Sequence, residues 1–74
     1  MASNVALHIT YTWIEAFIKK HHHPPTIFEI AEGLGISYQV ARLRLIAMER
    51  QGAIYRDSRK RSIELRGIDK LDEV

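Results

Sequence analysis

The chain has 74 residues, 46% of them hydrophobic, no cysteine and a formal net charge of +2. This rules out a disulfide framework and thiolate chemistry, leaves no apolar run of the ~18 residues that cross a bilayer, and limits the chain to one modest core. Domains of this size are marginal unless something staples or pairs them, so dimerisation or partner binding is expected from size alone.

The opening MASNVALHIT lacks the charged start and long apolar stretch of a secretory signal, so it reads as a lead-in to a first helix. Thr10 is the expected N-cap of that helix, which runs from Tyr11 to about His22. Trp13, Ile14, Phe17 and Ile18 form its buried stripe, and Lys19, Lys20 and the three histidines complement the dipole in its last turn. The spacing favours core packing over base stacking for Trp13 and Phe17.

Pro24 and Pro25 then break the chain. Thr26 with Glu29 three residues on is a capping-box pattern, so a second helix is predicted from Ile27 to about Leu34, with Ile27, Ile30, Ala31 and Leu34 on one face. Gly33 and Gly35 are expected to supply the positive φ that ends it. Ser37 is the expected N-cap of a third helix over about 38–51, with Ala41, Leu45 and Met48 facing inward and Gly52 closing it. Beyond Gly52 the period changes to alternation: residues 53–56 and 62–65 read as two strands, and the basic segment 57–61 as a hairpin tip. The predicted fold is α+β and mostly helical, a winged helix-turn-helix of three helices followed by a two-stranded antiparallel β-hairpin wing. The domain is expected over residues 1–66, with 67–74 a short acidic C-terminal tail.

Charge divides unevenly along the chain. Residues 1–36 carry two Lys and three Glu, residues 37–66 carry eight Lys/Arg against Glu49, Asp57 and Glu64, and residues 67–74 are net acidic. Positive charge thus gathers on the third helix and wing, the footprint of a surface that neutralises phosphates. A merely solvated basic face is the alternative.

With Ala41, Leu45 and Met48 inward, Ser37, Tyr38, Gln39 and Arg42 project from the opposite face of the third helix, the part that enters the major groove in helix-turn-helix proteins. Gln39 and Arg42 suit adenine and guanine edges respectively, Ser37 and Tyr38 suit phosphate oxygens, and Val40 suits a thymine methyl. Arg44 lies nearer the flank, where backbone contact or solvation is expected. In the wing, Arg59, Lys60 and Arg61 suit phosphates or a narrow minor groove. Leu43 and Ile46 fall off the inward face and are expected to be exposed, a candidate contact for a second copy or another protein. No metal site or cofactor is expected, because consecutive histidines on a helix diverge and no Cys or acidic cluster completes a set. No P-loop, nucleophile elbow or spaced Ser/His/Asp set is present, so no enzymatic activity is expected.

The run FIKKHHHPPTIFEIAEGLGIS, with PPT, EIA and LG in that order, and the closing MERQGAI resemble the DNA-binding domain of the LexA repressor family. The likeness covers residues 10–66 and is weaker across the third helix, where Arg42 and Leu43 stand at positions commonly acidic in the family. It implies three helices, a small antiparallel sheet and operator binding through the third helix, usually as a dimer. In the family, a C-terminal half carries the self-cleaving Ser/Lys protease and main dimer interface. With its end at Val74, this chain is expected to be neither self-cleaving nor dimeric by that route, and to be a complete small regulator of the phage or mobile-element kind. The expected function is sequence-specific binding of double-stranded DNA by a repressor-like regulator in a bacterial-type cytoplasm, on the nucleoid and without membrane association. The alternative is a winged-helix adaptor or antirepressor that binds another regulatory protein.

Overall fold

The computed structural model describes residues 4–57 and 62–72. Helix α1 spans Asn4–His21, seven residues earlier at its start than the capping pattern suggests. The reason is Leu7: it continues the stripe of Tyr11 and Ile14 by one turn, and all three are buried. Thr10 is therefore not an N-cap. It sits fully buried inside the helix, where its hydroxyl donates to the Ala6 carbonyl at 2.8 Å, the back-bond that lets a mid-helix threonine satisfy itself. Trp13, Phe17 and Ile18 are half-buried at the edge of this stripe.

The helix stops at the histidines. His22 takes φ 62, a left-handed conformation rare for a non-glycine residue, and donates its N–H to Ile18 O at 2.7 Å. The rings of His21 and His23 gather on Phe17, with centroids 4.2 and 5.5 Å from it.

Helix α2 spans Ile27–Leu34 and opens on the predicted capping box. Thr26 N–H donates to Glu29 Oε1 at 2.9 Å, and Glu29 N–H donates to Thr26 Oγ1 at 3.1 Å. Those bonds hold the Glu29 carboxyl below the ordinary carboxylate range, the Thr26 backbone N–H contributing most. The helix closes at Gly35, φ 66, whose N–H reaches Glu32 O while Ile36 N–H reaches Ala31 O. Gly33 is different. It is inside the helix without positive φ, and glycine is needed there because the Trp13 indole lies on its Cα: a Cβ would come within 2.6 Å of Cε2 and 2.9 Å of Nε1.

Helix α3 spans Tyr38–Arg50 from the Ser37 cap, whose Oγ accepts from Val40 N at 3.1 Å. Gly52, φ 80, turns the chain, and Ala53 N–H returns to Met48 O at 3.0 Å. Strands β1 (Ile54–Asp57) and β2 (Ser62–Leu65) pair antiparallel, with Ile54 opposite Leu65 and Asp57 opposite Ser62. The first strand is one residue later than the alternation suggests, because Ala53 is held by the helix-closing bond.

Over residues 67–72 the chain stays packed on the domain. A 3-10 turn over Ile68–Asp72 packs on α1 and places Leu71 at 0% exposure in the same core as Leu7, Tyr11, Ile14, Ile30, Leu45 and Met48. Burial, with the carboxylates of Glu15 and Asp69 nearby, raises the Tyr11 phenol above its ordinary value against the opposing pull of a Gly67 backbone hydrogen bond. Among the described residues no helix is long and apolar enough to cross a membrane.

Candidate nucleic-acid interface

The core divides α3 lengthwise. Ala41, Leu45 and Met48 are each at 0% exposure, so the face of α3 opposite them points outward. Ser37, Tyr38, Gln39, Val40 and Arg42 are all exposed and lie together on the first two turns. The Ser37 hydroxyl spends one acceptor lone pair on Val40 N–H, which leaves its O–H free to donate to an anion.

Arg44 stands apart from this group. It is half-buried, and its Nη1 donates to Thr10 Oγ1 at 3.2 Å, tying α3 to α1. The buried threonine hydroxyl is thus used twice, as donor within α1 and as acceptor from α3. Leu43 is 51% exposed, as its position off the inward face suggests, whereas Ile46 is half-buried. The apolar pair expected on this flank is therefore one exposed leucine beside a partly covered isoleucine.

Phe28 belongs to the same surface and escapes a reading based on apolar faces. It follows Ile27 in the first turn of α2, off the stripe formed by Ile27, Ile30, Ala31 and Leu34, and is 73% exposed. Its ring meets that of Tyr38 at 4.7 Å between centroids. A phenylalanine off the helix stripe is the signal in the sequence that marks it. Behind this pair, a groove of about 350 Å³ runs between the start of α2, the start of α3 and the hairpin. Thr26, Phe28, Tyr38, Arg56, Ser62 and Ile63 are among its walls. Among the described residues, the buried Nη1 of Arg56 has no hydrogen-bond partner.

On the hairpin, Arg66 is engaged by Glu64 at 3.1 Å and lies 5.3 Å from the Tyr55 ring centre. Both partners of that ion pair are more than half exposed, so it adds little stability. Arg59, Lys60 and Arg61, the expected wing contacts, lie outside the described residues.

A short helix, a glycine turn, a second helix with its outer half exposed and an antiparallel hairpin together define a winged helix-turn-helix protein. Comparison with known proteins agrees, and the chain belongs to the LexA DNA-binding domain family: the model described as "LexA DNA binding domain" matches residues 9–62. The chain is 42% identical to the LexA repressor of Thermotoga neapolitana, and 44% identical to those of Thermotoga petrophila and Thermotoga maritima. Each alignment runs over 48 residues, 65% of this chain and 24% of the relative, so the match spans about a quarter of the length of these curated relatives.

Proposed function

We propose that this chain is a sequence-selective, repressor-like regulator of bacterial or phage type that lays α3 in the major groove of double-stranded DNA. The observation that carries this reading is the exposed cluster on the first two turns of α3, in a chain whose family is defined by DNA binding. Gln39 and Arg42 face base edges, Val40 meets a thymine methyl, and Ser37 and Tyr38 donate to phosphate oxygens. Arg59, Lys60 and Arg61 follow the backbone or enter the adjacent minor groove. Arg44, held by Thr10, acts by fixing the tilt of α3 on α1 and not by touching DNA. Such a regulator works on the nucleoid, without cofactor or catalysis.

The test is fluorescence anisotropy on a duplex from the region upstream of the chain's own coding sequence and on a scrambled duplex of equal length. Selective binding is expected, and Arg42→Ala should bring the two affinities together, since one bidentate base contact is worth about 1–3 kcal/mol. Equal, weak binding to both duplexes by the unmodified chain overturns the reading. A second reading, docking on another regulator or on a second copy, is favoured by Leu43, whose apolar side chain is half in water. Loss of complex formation in Leu43→Glu with DNA affinity unchanged would select it.

A further inference from the structure

The groove behind Phe28 and Tyr38 has a feature the recognition surface does not use: a buried guanidinium nitrogen of Arg56 that has no hydrogen-bond partner among the described residues. A buried cationic donor without an acceptor is a rare state, and each such group calls for an explanation. The groove is at the small end of ligand sites. Its lining includes the Thr26 and Ser62 hydroxyls, donors suited to an oxyanion, the Phe28–Tyr38 ring pair, and Asp57, an acidic residue that is itself already partnered. Tyr38 is also the first residue of α3, so the groove is continuous with the proposed reading surface.

We propose that this groove seats one phosphodiester of the bound duplex, with Arg56 as the charge that holds it and the Phe28–Tyr38 pair as the apolar wall against which the adjoining sugar rests. The proposal depends on the DNA-binding reading above and adds to it a backbone contact from the root of the hairpin. Because this nitrogen is buried, seating the anion requires the Arg56 side chain to turn toward the groove, where binding supplies an acceptor that the described residues do not. Arginine suits this task because its planar fork meets two phosphate oxygens at once. The contact sets register and carries no base information.

The experiment is a salt titration of the same two duplexes with the unmodified chain, Arg56→Gln and Arg56→Lys, each first shown by circular dichroism to be folded. Arg56→Gln should bind both duplexes roughly tenfold more weakly with their affinity ratio preserved, a loss in the range of one charged hydrogen bond. Its slope of log K against log salt should be shallower by about 0.9, the share of one neutralised phosphate. Arg56→Lys should recover the slope. An unchanged slope in Arg56→Gln, with the unmodified chain still selective, overturns this proposal alone. An unmodified chain that binds neither duplex selectively overturns the DNA reading and this proposal with it. Inorganic phosphate, titrated while the Arg56 side-chain resonances are followed by NMR, separates the sources. Saturable shifts together with an unchanged duplex slope would assign the seat to free phosphate and refute the duplex contact.

Discussion

Gly33→Ala isolates a close approach between two helices, and its sign can be worked out before it is measured. In an exposed helix interior the change should stabilise by about 1 kcal/mol, because alanine loses less backbone entropy on folding. Gly33 is the penultimate residue of α2, so about half of that gain, ~0.5 kcal/mol, applies there. Against it stands the Trp13 indole, whose Cζ2 would crowd the new methyl group most closely, with Cε2 and Nε1 at 2.6 and 2.9 Å. An indole is rigid, so relief requires the whole ring to tilt away from α2. Overpacking of this kind costs about 1–3 kcal/mol. Full detachment would forfeit about 100 Å² of contact, the part of the ring that a half-buried tryptophan covers, at ~25 cal/mol per Å², or about 2.5 kcal/mol. The net expectation is destabilisation of about 0.5–2 kcal/mol, which in a domain of this size lowers Tm by roughly 2–16 °C. Thermal unfolding followed by far-UV circular dichroism measures the shift, and Trp13, the only tryptophan in the chain, should report its movement by a red-shifted emission. In a Trp13→Ala background the same Gly33→Ala change should reverse sign and stabilise. An unchanged or raised Tm in the otherwise unmodified chain, with Trp13 emission unmoved, would refute the reasoning.

Leu71→Ala should lower stability by about 2–3 kcal/mol, at the lower end for a fully buried leucine because it lies near the end of the described chain. Urea denaturation checks this, and a midpoint equal to that of an exposed control, Lys70→Ala, would show that the 3-10 turn adds nothing to the core. Glu29 sets a pH dependence at the start of α2: its folded value is depressed, so the stabilisation it gives is present above the ordinary glutamate value and lost as pH falls through the lowered one. Amide exchange in the first turn of α2 should therefore accelerate in acid, and Glu29→Gln should blunt that response; acid sensitivity identical in the variant would count against the capping box as its source.

Much of this fold is legible in the sequence because local chemistry and tertiary packing agree. The Thr26–Glu29 box, the Gly35 turn, the Ser37 cap and the inward triad of Ala41, Leu45 and Met48 each depend on residues a few positions apart, and all appear where the pattern puts them. The differences arise where a distant partner decides. Thr10 has the chemistry of an N-cap, but Leu7 extends the stripe beyond it, and Arg44 supplies a cation from 34 residues away. Gly33 looks like a helix terminator until the position of Trp13 is known. Leu71, inside a segment whose charge suggests a solvated tail, is drawn into the core because α1 presents an apolar surface that the three helices and hairpin leave open. In the candidate site, exposure of Gln39 and Arg42 follows from helical period alone. The Phe28–Tyr38 pair and the unpaired Arg56 nitrogen require the hairpin to be brought beside the starts of two helices, and no local pattern encodes that.

The lengthwise division of α3 separates what stabilises the helix from what it presents to solvent. The stability of this helix rests on three inward residues, the Ser37 cap, the Gly52 turn and the Arg44 bond to Thr10. The side chains of Gln39, Val40, Arg42 and Leu43 are exposed and enter none of these, Val40 contributing only its backbone N–H to the cap, so exchanging them should alter stability by only a few tenths of a kcal/mol. The PPT, EIA and LG segments are under the opposite constraint, since Pro25, Ile30 and Ala31 are buried and Thr26 and Gly35 hold the ends of α2. A domain built this way can change what its third helix reads while keeping the same core. Arg42 and Leu43 are exposed on that frame, so under the proposed reading Arg42→Ala should move selectivity and leave Tm nearly where it was.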